Sequence, residues 1–149
     1  MRAVVQRVKE CSVTVEAKVT GSIDRGLLVY LGVEKGDTQE DLSYILEKTV
    51  GLRIFVDGDG KMNLSVEDTG GSILVVSQFT LCADTRKGKR PSYNNAAPPE
   101  EGERYYREFI ETVQARGIEV REGSFGALMH VRYTNEGPVT IILDSRKRI

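Results

Sequence analysis

Apolar and polar residues alternate through the first sixteen positions. Residues 2–9 and 11–16 read as strands, with Val13 and Val15 opposed to Ser12, Thr14 and Glu16. Ala17-Lys18 turns the chain into a strand over 19–23, and the run Gly26-Leu27-Leu28-Val29-Tyr30-Leu31-Gly32-Val33 is apolar on both faces, the pattern of a central strand. Short connections between these strands favour antiparallel pairing. The period then changes. Leu42, Ile45, Leu46 and Thr49 share one helical face, with Asp37 as N-cap, Glu40 completing a capping-box-like pair and Gly51 as the stop.

Residues 52–56 and 62–66 read as strands joined by a turn at Asp57-Gly58-Asp59-Gly60. Its two Asp residues suggest a calcium loop, but the later Glu and the other ligand positions are missing, so a turn is the better reading. A strand is expected from Ile73 to Leu81. The segment 82–98 holds few apolar residues and includes Pro91, Asn94, Asn95 and Pro98, and a loop this long in a compact domain is functional or disordered. Pro99 suits a first helical turn, Glu100, Glu101 and Glu103 suit the positive helix end, and Tyr105, Tyr106, Phe109, Ile110 and Val113 form the buried stripe before Gly117. Strands resume over 127–133 and 139–143, broken at Thr134-Asn135-Glu136-Gly137-Pro138. The expected class is α+β, mainly β: a curved or barrel-like, mostly antiparallel sheet with two helices.

At 149 residues, 40% hydrophobic and 29% charged, the chain suits one domain over 1–149. Cys11 and Cys82 are too few for a disulfide framework and favour a reduced, cytoplasmic setting. No apolar run approaches a membrane span, and the N-terminus lacks a signal-peptide core. Net charge is −1, so contact with nucleic acid requires a local patch. Two stretches qualify: Arg86, Lys87, Lys89 and Arg90 in the long loop, and Arg146, Lys147 and Arg148 at the end. Either is also readable as solvated surface.

Elimination narrows the chemistry. The single histidine, His130, shares a face with Arg132, opposite Met129 and Val131, and reads as a surface residue. That disfavours Ser-His or Cys-His catalysis, and one His with two distant Cys does not readily build a zinc site. There is no Walker A sequence and no dinucleotide fingerprint, and no Asp or Glu sits in a recognisably apolar run. An enzyme built on this chain works by positioning, backbone donors and chemistry supplied by its substrate. Ser77-Gln78-Phe79-Thr80-Leu81, at the end of an apolar run and before the basic loop, is where such a site would open. The plain alternative is a core strand whose last polar residues meet solvent.

Three stretches combine: Ser77-Gln78-Phe79-Thr80-Leu81, the loop from Thr85 to Tyr93, and Asn135-Glu136-Gly137-Pro138-Val139-Thr140. Together they resemble the D-aminoacyl-tRNA deacylases, long called D-tyrosyl-tRNA deacylases. The likeness spans the whole chain, with Tyr93 where Phe is common, Leu128 where Asp is common and Glu136 where Asp is common. It implies a homodimer, with no cofactor or metal, that hydrolyses the ester of D-aminoacyl-tRNA and also acts on glycyl-tRNA. It further implies a site at the subunit interface. Ser77, Gln78, Phe79 and Thr80 of one subunit would face a cis Gly137-Pro138 pair from the other, which excludes L-residues. Backbone N–H groups near Phe79 and Thr80 would form the oxyanion hole. Arg7, Asn135 and Thr140 would support the Gly-Pro segment, and Arg86, Lys87, Lys89 and Arg90 would meet tRNA phosphates. The competing class is a non-catalytic RNA-binding module using the basic loop and Tyr93; a weaker third is a hydrolase of small D-amino acid esters or amides.

Overall fold

A computed structural model describes residues 1–149. Strand β1 (Arg2–Val15) runs unbroken through the two segments expected at the start. It turns at Glu16 and Ala17 into β2 (Lys18–Ile23), and β3 (Gly26–Gly32) continues in the same direction after a bend. Both pair antiparallel with β1, β3 along its first half and β2 along its second. β6 (Ser72–Ser77) and β7 (Val120–Glu122) extend the sheet in parallel beyond β3, and β7 comes round beside β2 to leave a nearly closed barrel. The pairing is mostly antiparallel, with two parallel joins.

Strand alternation separates two cores. Leu27, Val29, Leu31, Ile73 and Val75 face helices α1 (Gln39–Gly51) and α3 (Pro99–Ala115) in the larger cluster. Leu28, Leu74 and Val76 point the other way, into the barrel, with Val8, Cys11 and Val13. β3 is thus covered on both sides, as its two-faced apolar run predicts. All the helix-stripe residues named above are buried. Both thiols lie inside, and burial pushes Cys11 up to about 12, with Glu10 adding to it, and Cys82 up to about 11.

The differences from expectation are local. α1 is capped by Thr38 with Asp41, not by Asp37 with Glu40. Asp37 is otherwise engaged: its carboxylate accepts the Glu34 N–H at 2.7 Å and the Met1 amine at 2.7 Å. The hairpin between α1 and β6 has short strands β4 (Phe55–Val56) and β5 (Met62–Leu64), and then a third helix, α2 (Val66–Thr69), replaces the end of the expected strand. Ser65 and Asp68 form a reciprocal cap that starts it. The final strand, β8 (His130–Asp144), spans the supposed break at 134–138 while pairing with β1. The break survives as a bulge: Gln6 faces Thr140 and Val8 faces Asn135, so 136–139 leave the ladder.

Candidate active site

β6 ends at Ser77, not at Leu81. Gln78 leaves the extended conformation (φ −139°, ψ 76°), its N–H still reaching the Leu31 carbonyl at 2.8 Å, and Phe79–Cys82 form a 3-10 turn. β3 ends at Gly32, so no strand remains for Phe79 to pair with. The turn folds tightly onto that strand end. A Cβ at Gly32 would lie 2.9 Å from the Gln78 carbonyl oxygen and 3.1 Å from the Leu81 Cβ, which explains a glycine in the strand. Phe79 and Thr80 open the turn, and the first N–H groups of a helical turn have no acceptor within it. The Gln78 amide donates to the Thr80 hydroxyl, fixing both side chains.

This turn heads a cleft of about 450 Å³. Ser77, Gln78 and Phe79 form one wall, Val33, Ala96 and Ala97 another, and Phe125, Leu128 and Met129 complete it. The lining is chiefly apolar, with the polar groups gathered at the turn, the usual build of a pocket that binds by shape and orients by a few hydrogen bonds. No carboxylate, histidine or lysine lines it. His130 is exposed beside Arg132, as alternation predicts. No three His, Cys, Asp or Glu side chains converge where they would hold a metal ion. At the mouth, Phe79 and Tyr93 meet edge to face with ring centroids 5.3 Å apart, both largely exposed.

Arg7, Asn135 and Thr140 converge on the β8 bulge. Arg7 is only 7% exposed, and its guanidinium donates to the Glu136 carbonyl at 3.0 Å and the Ile54 carbonyl at 2.6 Å. Asn135 spans the bulge: its side-chain oxygen accepts the Val139 N–H at 2.8 Å, and its amide donates to Thr140 Oγ1 at 2.9 Å. The Gly137–Pro138 peptide is cis, and Gly137 has φ +136°, a region open to glycine and costly for other residues. Both residues are exposed, and neither lines the cleft of the same chain. Within one chain, therefore, the two halves of the expected site are separately built and not brought together.

The basic loop is ordered by its own acid. Asp84 takes two bonds from the Arg86 guanidinium, at 2.9 and 2.6 Å, which hold its carboxyl down at about 2, and it bridges by backbone to Ser92. Lys87, Lys89 and Arg90 are exposed. The C-terminal basic stretch is otherwise used. Arg148 binds Glu34 and Asp144, and Arg146 binds Asp37. Sequence reasoning does not reach the wall from Phe125 to Met129, which carries no reactive side chain. Its only signal is a glycine-interrupted apolar run between β7 and β8.

The chain matches the family model described as D-Tyr-tRNA(Tyr) deacylase over residues 4–144. It is 58% identical over 147 residues to a D-aminoacyl-tRNA deacylase of Thermotoga petrophila, covering 99% of each chain, and 54% identical, at the same coverage, to one of Koribacter versatilis. Among solved structures, a c-Myc DNA unwinding element binding protein superposes with a TM-score of 0.92 at 43% identity, covering 97% of this chain and 98% of that one. A probable eukaryotic D-amino acid tRNA deacylase shares the fold, with a TM-score of 0.79 at 21% identity over 95% of this chain and 97% of that one. With the bulge, the turn and the cleft in place, the chain belongs to the D-Tyr-tRNA(Tyr) deacylase family.

Proposed function

We propose that this protein hydrolyses the ester of D-aminoacyl-tRNA, releasing free tRNA and a D-amino acid. The carrying observation is a polar turn at the head of an apolar cleft that holds no side-chain base. Chemistry there rests on backbone donors. The Phe79 and Thr80 N–H groups stabilise the oxyanion, Gln78 and Thr80 orient the ester, Ser77 shapes the strand end, and the 2′-hydroxyl of the terminal adenosine assists the attacking water. Thr80 is not the nucleophile, since no base in the cleft would activate it.

The whole chain, 1–149, acts as one domain and works as a homodimer in the cytoplasm. Gly137-Pro138 of one subunit closes the cleft of the other. A rigid pair held by Arg7 and Asn135 meets the side chain of an L-residue and leaves that of a D-residue free, which is selection by exclusion. Glycine has no side chain to exclude, so glycyl-tRNA is also cleaved. Arg86, Lys87, Lys89 and Arg90 lie against acceptor-stem phosphates.

Incubation with matched D- and L-aminoacyl-tRNA, followed by measurement of free amino acid, tests the reading. Release from the D form and from glycyl-tRNA, with the L form intact, is expected. Binding without release from any of them would instead establish an RNA-binding module. A Thr80→Ala enzyme that binds substrate yet loses all turnover would restore the nucleophile mechanism. Undiminished cleavage of a substrate ending in 2′-deoxyadenosine would remove the RNA-assisted step.

A further inference from the structure

We propose that Arg2 is a positioning residue for the reaction, acting through the 3-10 turn; this rests on the reading of that turn as the donor site. The first side chain of β1 reaches across the barrel end, and Arg2 Nη1 donates to the Leu81 carbonyl at 2.8 Å. That carbonyl belongs to the last residues of the turn, whose acceptors have no partner within it. A guanidinium bond to such a carbonyl is charge-assisted and directional. The turn is therefore held at both ends, by Leu31 receiving the Gln78 N–H and by Arg2 grasping Leu81.

The second arm of Arg2 points to Glu34, with Nη2 3.7 Å from its carboxylate. Glu34 is 2% exposed and is itself gripped by Arg148 at 2.5 Å. Its backbone bridges Ala96, and beside it the Ala97 N–H donates to the Val33 carbonyl at 2.9 Å. Val33, Ala96 and Ala97 line the same cleft as the turn, and Val33 touches the turn's end, its carbonyl 3.5 Å from the Cys82 sulfur. The Arg2–Glu34 pair thus ties the turn to the segment that carries these lining residues and helps fix where the donors stand relative to them. Arg2 Nε–H is buried with no acceptor in the chain, so the guanidinium is placed for Leu81 and Glu34 at the expense of its third nitrogen. Arg2 lines no part of the cleft and touches no reacting atom.

Geometry of this kind governs turnover more than binding, because a displacement of about 1 Å at a reacting group costs roughly 100-fold. In Arg2→Ala, kcat on D-aminoacyl-tRNA is expected to fall about 10- to 100-fold with KM within about twofold. Amide hydrogen exchange at Leu81 and Ala83, whose N–H groups close the turn on the Gln78 and Thr80 carbonyls, should quicken in the same variant. Guanidinium ion, at concentrations where equal sodium chloride does nothing, should restore part of kcat. Arg2→Lys keeps the charge and stem but loses the fork, so it should remain slow and unresponsive to guanidinium, and it carries the test if the alanine variant folds poorly. Unchanged exchange in both variants would overturn the anchor. Quickened exchange with unchanged kcat would keep the anchor but overturn Arg2 as a positioning residue, whereas failure of the parent protein to release any amino acid would overturn the turn as the donor site.

Discussion

Arg86 and Arg148 each grip an aspartate with two guanidinium nitrogens, and the two contacts have nearly the same lengths. Arg86 binds Asp84 at 2.9 and 2.6 Å; Arg148 binds Asp144 at 2.8 and 2.8 Å. What differs is the acid. The Asp84 side chain is 28% exposed, whereas that of Asp144 is fully buried and Arg148 also holds the buried Glu34. Water screens the first pair and leaves it worth little. The second neutralises the buried Asp144 and gives Glu34 its shortest ion pair, beside the longer ones to Arg2, Arg146 and the Met1 amine. One basic stretch is thereby part of the fold, and the other leaves Lys87, Lys89 and Arg90 exposed.

Removing Arg148 breaks the comparison most sharply. Arg148→Ala leaves the buried Asp144 without an ion-pair partner and Glu34 without its shortest one, and should cost about 3 kcal/mol, roughly 6–12 °C in Tm by calorimetry. Replacing Arg86, Lys87, Lys89 and Arg90 together by Ala should leave Tm nearly unchanged. It should weaken tRNA binding about 10- to 100-fold in titrations at ~0.15 M salt and flatten the salt dependence by about three units of slope. Binding that ignores salt in the parent protein would remove the loop from the interface.

Acid separates the pairs next. Burial pushes the Asp144 carboxyl up, but its bonds to Arg148 and to the Arg146 and Arg148 N–H groups outweigh this and hold it at about 2. A depressed carboxyl contributes stability that is complete above its unfolded value near 3.9 and lost as pH falls from there through about 2. Tm should therefore drop over that window, and Asp144→Asn should flatten the drop. Asp84 has the same direction of shift but is open to solvent, so Asp84→Asn should move the curve far less. The smallest effect belongs to Lys147, whose amine sits 5.7 Å from the Tyr44 ring; Lys147→Ala should cost about 0.5 kcal/mol, near the resolution of a melting curve.

The two stretches look alike in sequence because a basic run records its own charge and not the burial of its partner. Glu34 and Asp144 are far from each other along the chain, and it is the pairing of β1 with both β3 and β8 that brings them to one arginine. The same limit governs the site. Periodicity located β3, α1 and α3 because their faces are set by local alternation. It overran at Leu81, where the strand stops for want of a neighbour, and at Val66, where Ser65 and Asp68 prefer a helix. The Gly137-Pro138 pair was visible as a break, but Arg7, which secures it, is 129 positions away from the carbonyl it holds. The cleft walls at Ala96, Ala97 and Phe125 carry no reactive group and leave no mark beyond apolar character.

The two cysteines have a practical side. Both thiols are buried, and burial raises them, so neither is readily ionised at pH 7, and thiolate is the form that alkylating reagents attack. A single cysteine introduced at the exposed Lys87 would be the one site a maleimide dye meets. The loop proposed to meet tRNA is then open to fluorescence readout without altering either native thiol.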